Sequence, residues 1–473
     1  MTGRRLGCTL VPLAMLAGAC SAGTGADAGS GSAAASSSLA QSAARAGSIE
    51  GQWTGRIEIP GSPLDVGVAF TEADGAYGGT VDVPAQMLTG ARLTDVTFDG
   101  QAVGFVIAGL PGNPTDRGQF DGETIDGQFS QSGHSFPLEL TRGAVEPAER
   151  PQEPTPPFPY RSEDVTYQGG VTIAGTLTTP EGDGPFPAVL LITGSGAHDR
   201  DEAIAGHRPF LLIADTLTRA GYAVLRVDDR GVGGTGGVLA DATYDDLAGD
   251  VAAGLAFLRS RPDIKADQVG LLGHSEGGYL APLVAQTQAE KPDFVILMAG
   301  PAVSGKAVLI EQNELIMTAA GMSRSEVDDQ VDFVTRYADL IIAGDFTGAN
   351  DLTRARVTEA GGSAALAPDT ANEIMRSLLS YDPAPALRAL TVPVLAVYGG
   401  RDLQVPPQQS EPVLRKLLAA NPDATVQTFP NLNHLMQPAT TGLPTEYATI
   451  ETTIDPAVLD LQVSWLQQRL PAG

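Results

Sequence analysis

Val269-Gly270-Leu271-Leu272-Gly273-His274-Ser275-Glu276-Gly277-Gly278-Tyr279-Leu280-Ala281-Pro282-Leu283-Val284-Ala285 is the stretch that decides the fold. Val269 to Leu272 reads as a short buried strand, and Tyr279 to Ala285 as an apolar helical run. Between them, Gly273-His274-Ser275-Glu276-Gly277 has the G-x-S-x-G pattern. Small residues on either side of the serine permit a strained strand-to-helix turn that exposes its hydroxyl. The pattern recurs by chance, so its weight comes from the strand before it, the helix after it and correctly ordered partners further along.

A serine hydroxyl is a poor nucleophile until a neighbouring base removes its proton, and that base needs a carboxylate to orient it. The chain has five histidines. His274 adjoins the serine, with its side chain expected to point away from the turn. His198 and His207 precede Ser275, the wrong chain order, and His134 lies in a separate region. His434, in Asn431-Leu432-Asn433-His434 just after the last predicted strand, remains as the base. Asp402, in Gly399-Gly400-Arg401-Asp402 directly after the predicted strand Val394 to Tyr398, is the first choice of acid. Asp382 and Asp423 stand near helix ends, where capping accounts for them.

Charge developing on an attacked carbonyl needs backbone donors. One is the N–H of Glu276, after the nucleophile. The other is expected from Thr193-Gly194-Ser195-Gly196-Ala197-His198-Asp199-Arg200-Asp201, with Ser195 the first choice and Gly196 the second. Asp199, Arg200 and Asp201 read as a local ion-pair network that holds this loop. The glycine-rich run Asp228 to Thr235 lacks a P-loop lysine and carries acid where phosphate would sit, so it reads as a structural turn. No zinc or calcium ligand spacing occurs, and neither metal nor cofactor is expected.

Around these motifs strands alternate with helices, the pattern of a doubly wound, mostly parallel α/β sheet. Eight strands are predicted: Asp164 to Tyr167, Val171 to Thr178, Ala188 to Thr193, Ala223 to Val227, Val269 to Leu272, Phe294 to Met298, Val394 to Tyr398 and Thr425 to Phe429. Between 305 and 389 the strand signal disappears into a helical insertion. There Ser323 and Glu326 form a capping box, and Val327, Val331, Val334, Ala338 and Ile341 follow at helical spacing. An insertion at this point is expected to cap the carboxyl edge of the sheet, where open α/β sheets bind ligands.

Ahead of this domain (161–473), short alternating apolar runs over 48–143 predict a small antiparallel β sandwich or barrel. The intervening 144–160 is a Pro-rich linker, with six prolines between Glu146 and Pro159. At the other end, Arg4 and Arg5 precede an apolar run, Leu10 to Ala17, that is too short to span a bilayer. Residues 1–19 are therefore expected to be a signal peptide. Leu16 to Cys20 (LAGAC) resembles a lipobox, which makes Cys20 the expected lipidation site of an envelope protein, with plain secretion through Ala17-Gly18-Ala19 as the alternative. Residues 20–47 are Ala, Ser and Gly with almost no large side chain, a flexible tether. Cys8 leaves with the signal, so the mature chain keeps one cysteine and forms no internal disulfide.

The 473 residues carry 29 Lys plus Arg against 56 Asp plus Glu, a net charge of −27, which argues against nucleic acid and anionic membrane surfaces as partners. Membrane contact is expected only through the lipid anchor. The oligomeric state is left open.

Together, Gly194-Ser195-Gly196 with Asp199-Arg200-Asp201, Gly273 to Gly278 with Ala281-Pro282, Arg401-Asp402-Leu403-Gln404-Val405, and Asn433-His434-Leu435-Met436-Gln437 with Glu446-Tyr447 resemble the bacterial EstD-type esterases of the α/β-hydrolase superfamily, from about Arg161 to the C-terminus. Ala197-His198 and Met436 depart from the usual residues. The resemblance implies an α/β-hydrolase domain with a cap, often behind a small β domain. It also implies a serine carboxylesterase with Ser275 as nucleophile, Asp402 as acid and His434 as base. The expected reaction is metal-independent hydrolysis of a small, short-acyl ester through an acyl-enzyme. Two other readings stay open. A peptidase or aminopeptidase would use the same triad, but no site for a substrate amino terminus is evident. An inactive envelope binding protein would keep the fold alone, and the ordered triad counts against it.

Overall fold

Alternation of inward apolar and outward polar residues, broken by turn residues, shapes the first part of the chain into β1 (Gly51–Ile57), β2 (Leu64–Ala73), β3 (Ala76–Val83), β4 (Leu88–Phe98), β5 (Ala102–Ile107), β6 (Thr115–Phe120), β7 (Thr124–Gln131) and β8 (His134–Arg142). The computed structural model describes residues 47–471, apart from 60–63, 74, 84–87, 109, 111–113, 132–133, 145–148, 360–363 and 365–366. The expected signal peptide 1–19, Cys20 and all of the tether 20–47 except Gly47 lie outside the described residues. The chain divides into two compact units.

In the first unit each strand runs antiparallel to the next. β8 returns to β1, with Trp53 opposite Arg142 and Ile57 opposite Leu138, so the expected small β domain is a closed barrel. Closure leaves no unpaired edge. Its interior is aromatic: Trp53 meets Phe120 edge-on at 5.8 Å, and Phe70 meets Phe105 at 5.7 Å.

Asp116 interrupts that interior. It is 1% exposed, and neither carboxylate oxygen has a hydrogen-bond partner among the described residues. Gly127 on β7 leaves it room, since a Cβ there would lie 2.8 Å from Oδ2. Burial pushes its pKa up from 3.8 to about 7. The folded chain thus holds the proton more tightly than the unfolded chain. The stability contributed by the protonated form is complete below about pH 4 and is lost as pH rises to about 7, a change of up to about 4 kcal/mol. Thermal unfolding at pH 5 and pH 8 should show the barrel transition falling at the higher pH in wild type and holding steady in Asp116→Asn. Equal falls in both chains would remove Asp116 as the cause.

The second unit is built on an eight-stranded sheet: β9 (Tyr160–Gln168), β10 (Thr172–Pro180), β11 (Phe186–Ile192), β12 (Ala223–Val227), β13 (Ile264–His274), β14 (Val295–Met298), β15 (Val394–Gly399) and β16 (Ala424–Phe429). The order across it is β16, β15, β14, β13, β11, β12, β10, β9. β9 and β10 are antiparallel and the remaining six strands are parallel. β9 begins at Tyr160, four residues before the predicted start. Its polar residues Arg161 to Asp164 are no obstacle, because an edge strand is held by its backbone register with β10, from Tyr160 opposite Pro180 to Gln168 opposite Thr172.

The helices are α1 (Pro209–Arg219), α2 (Tyr244–Ser260), α3 (Gly277–Thr287), then α4 (Gly305–Ala319), α5 (Arg324–Ile342), α6 (Phe346–Glu359), α7 (Glu373–Ser380) and α8 (Ala384–Ala389), and finally α9 (Pro407–Leu417) and α10 (Pro456–Arg469). Two apolar layers cover the sheet. Along β11, Ala188, Leu190 and Ile192 enter the layer with α2, α3 and α9, while Val189 and Leu191 enter the layer with α1 and α10. The insertion α4 to α8 departs from the carboxyl end of β14. At the start of α5, Ser323 and Glu326 form the expected capping box, with Glu326 Oε2 accepting the Ser323 N–H at 2.8 Å. Tyr381, between α7 and α8, packs on Tyr279 in the first turn of α3 with ring centroids 5.2 Å apart.

From Arg150 onward, the expected linker 144–160 is a docked strap rather than a spacer. Arg150 donates to the carbonyls of Ala205 (3.1 Å), Ala448 (2.8 Å) and Ile450 (3.2 Å). Gln152 donates to Ile454 O at 2.8 Å and accepts the Thr453 N–H at 2.7 Å. Prolines remove backbone donors, so side chains make the attachment.

Candidate active site

β13 ends at His274 and α3 begins at Gly277, so the chain reverses within two residues. Ser275 takes φ 51°, a left-handed conformation that is strained for a residue with a Cβ. Its N–H donates to Met298 O at 2.9 Å and its carbonyl accepts the Gly278 N–H at 2.8 Å, which hold the turn. The flanking glycines are required by close approach. A Cβ on Gly273 would fall 2.1 Å from Gly277 O, and one on Gly277 would fall 2.3 Å from Ile192 O.

β15 and β16 deliver the other two residues to this turn. His434 Nε2 lies 3.0 Å from Ser275 Oγ, and His434 Nδ1 lies 2.8 Å from Asp402 Oδ2. Asp402 is 2% exposed and His434 3%. Asp402 Oδ1 accepts the N–H groups of Gln404 and Val405, both at 2.8 Å, which leaves Oδ2 for the imidazole. The loop of His434 is fixed by Asn433, whose Oδ1 accepts the N–H groups of Leu435 and Gln437 at 3.0 Å each. Such a line of groups can remove the serine proton and return it to a leaving group.

The loop after β11 is held from both sides. Glu202 Oε1 accepts the Gly194 N–H at 2.6 Å. Asp229, just past β12, accepts the Thr193 hydroxyl and the His198 N–H, both at 2.8 Å. His198 Nε2 in turn lies 2.9 Å from Ser195 O. Among the described residues, the N–H groups of Ser195, Gly196 and Glu276 donate to nothing, whereas that of Gly194 is taken. Both expected oxyanion donors, Ser195 and Glu276, thus keep their amides unspent, as does the second choice, Gly196. Burial pushes Asp229 up to about 8 and Glu276 up to about 7.

Arg200 and Asp201 pair with other elements, while Asp199 Oδ1 accepts the N–H groups of Asp201 and Ala203 within the loop. Arg200 bonds Asp228 Oδ2 at 2.6 Å and Asp164 at 3.1 Å, and Asp201 pairs with Arg226 on β12. The run from Asp228 is the structural turn the sequence suggested, and it also anchors this loop. Asp382 accepts the Ala384 N–H at 3.0 Å at the start of α8. Asp423 is not a cap: Arg469 bonds it at 2.8 Å. His207 is buried between Thr453 Oγ1 and Tyr447 O, each 2.9 Å away, and burial lowers its pKa to about 4. His134, in the barrel, stacks on Phe136.

His274 bonds elsewhere than to the Ser275 hydroxyl, with Nδ1 2.9 Å from Glu202 Oε1 and Nε2 3.2 Å from His434 O. Glu202 was not singled out by sequence reasoning, because nothing in its spacing from Gly194 or His274 follows a recognised pattern.

A family model described as serine aminopeptidase, S33, matches residues 208–437, a span that contains Ser275, Asp402 and His434. The esterase EstD of Thermotoga maritima is 29% identical over 311 residues, covering 66% of this chain and 68% of that one. A 2-hydroxy-6-oxononadienedioate/2-hydroxy-6-oxononatrienedioate hydrolase of Cupriavidus pinatubonensis is 25% identical over 281 residues, covering 56% and 92%. Among solved structures, an esterase of Pyrococcus furiosus aligns at a TM-score of 0.42 and 14% identity, over 69% of this chain and 100% of that one. Its Ser-Asp-His order, its sheet and these matches support an EstD-type esterase of the α/β-hydrolase fold.

Proposed function

We propose that this esterase is an exported serine carboxylesterase that hydrolyses short-acyl esters through an acyl-enzyme. The observation that supports the reading most strongly is the unbroken line from Asp402 through His434 to Ser275, at 2.8 and 3.0 Å, on a serine held at φ 51°. Ser275 Oγ attacks the ester carbonyl carbon while His434 Nε2 takes the hydroxyl proton and Asp402 steadies the imidazolium. The amides of Glu276 and Ser195 receive the oxyanion. Collapse expels the alcohol, which takes the proton from His434. Water then attacks the acyl carbonyl, gives its proton to His434, and Ser275 leaves with that proton as the carboxylic acid departs.

The substrate size rests on the insertion. Val327, Val334, Ala338 and Ile341 of α5 are buried, while Asp328, Asp329, Asp332, Arg336 and Asp339 on the same helix are exposed. A helix so charged on its outer face suits a fixed cover over a small pocket better than the broad apolar surface of an interfacial lipase. Activity on p-nitrophenyl esters should therefore peak between about C2 and C6. Each methylene that fits contributes up to about 0.8 kcal/mol until the pocket is full. A maximum at C12 or longer, or turnover of aminoacyl amides above that of every ester, would contradict the assignment.

Export rests on residues 1–20 of the sequence. Cys20→Ser should move the protein from the membrane pellet to the soluble fraction. Equal partitioning of both forms into the soluble fraction would favour simple secretion.

A further inference from the structure

His274 has acceptors on both ring nitrogens. Glu202 Oε1 lies 2.9 Å from Nδ1, and the carbonyl oxygen of His434 lies 3.2 Å from Nε2. With Glu202 ionised, the carboxylate and the carbonyl both accept, so both nitrogens donate, and a ring that donates twice is an imidazolium. The same Glu202 oxygen also accepts the Gly194 N–H at 2.6 Å. Glu202 is 1% exposed and stands at φ 52°, an uncommon backbone conformation for a residue with a Cβ. We propose that Glu202 and His274 are a positioning pair for the esterase reaction: His274 ties the backbone of the catalytic base His434 to the oxyanion loop, through Glu202 and the Gly194 amide. The proposal rests on the serine-esterase reading above.

The tie spans parts of the site that come from three separate loops and must keep their relative places within a fraction of an ångström for proton transfer and oxyanion binding. Burial opposes charge on both members, yet their mutual attraction holds Glu202 below the usual carboxylate range and His274 above the usual imidazole range. The titratable groups that also face the pair are Asp402 and the neighbouring His434, whose ring centre is 4.9 Å from that of His274, on the triad side, and His198 and Asp229 on the side of the oxyanion loop. Neither Glu202 nor His274 touches the reacting atoms. Both act through the residues they hold.

Glu202→Gln keeps the size of the side chain but removes the charge that retains the second proton on His274. A neutral ring can donate at one nitrogen only, so one link of the tie is lost. The test measures kcat and KM on a short p-nitrophenyl ester, per active site counted from the p-nitrophenol burst, between pH 6 and pH 9, with Ser275→Ala as a control. For Glu202→Gln, kcat should fall by about tenfold or more at pH 9 with KM within about threefold of wild type. A displacement of about 1 Å in such a site costs on the order of 10². The loss should hold from pH 9 down to pH 6, because burial without the carboxylate keeps the His274 ring neutral throughout. His274→Gln, which has no titrating ring, should show a loss that does not vary with pH. A kcat within twofold of wild type for both variants, or a loss that appears in KM with kcat unchanged, would overturn the pair. If Glu202→Gln does not fold, His274→Gln decides by its kcat. If neither folds, the residues serve folding and the proposal fails. Activity retained in Ser275→Ala would instead bring down the serine reading itself.

Discussion

Ser275→Ala should abolish ester hydrolysis, lowering kcat by on the order of 10⁶ while leaving the fold intact. The turn does not depend on the hydroxyl. It is made by the Ser275 N–H on Met298 O, the Gly278 N–H on Ser275 O, and the absence of a Cβ at Gly273 and Gly277. Alanine at φ 51° carries the same backbone strain as serine, so thermal unfolding should be little changed. The base, the acid and the oxyanion amides remain, and residual hydrolysis above that in water should come from these alone. Retention of more than a tenth of wild-type kcat would place the nucleophile elsewhere.

Asp402→Asn should lower kcat by on the order of 10⁴. In wild type, the Gln404 and Val405 amides occupy Oδ1, so Oδ2 alone faces the imidazole. An asparagine that keeps its carbonyl toward those amides must turn its NH2 group toward Nδ1. The histidine then carries its proton on Nε2, facing Ser275, and can no longer accept one. The fault is of tautomer rather than geometry, so substrate binding should persist. A loss below tenfold would show that another carboxylate serves His434.

Much of this site is legible from local pattern. Ser275 is marked by glycines on both sides, each with a backbone oxygen within 2.3 Å of where its Cβ would be. Asp402 and His434 are marked by their places just after predicted strands, and the parallel order of β13, β14, β15 and β16 brings those strand ends together. The barrel was visible as alternation, but closure depends on β8 finding β1, a long-range pairing that no short stretch encodes. Glu202 was hidden for a related reason. Its partners, Gly194 and His274, lie 8 and 72 residues away, and a glutamate in an irregular loop has no periodicity to reveal it. The linker misled in another way: its prolines do prevent sheet pairing, but they do not prevent Arg150 and Gln152 from binding carbonyls near the C-terminus. Asp423 looked like a cap because it stands beside a helix end, and only the tertiary fold brings Arg469 to it.

Acylation of Ser275 is tested by rapid quenching of the full-length enzyme in acid during turnover of a short-acyl p-nitrophenyl ester, followed by peptide mass mapping. A mass increase equal to the acyl group is expected on the peptide containing Ser275, formed with the p-nitrophenol burst and absent from Ser275→Ala. An acyl group on any other residue, or a burst with no acylated peptide at all, would contradict it.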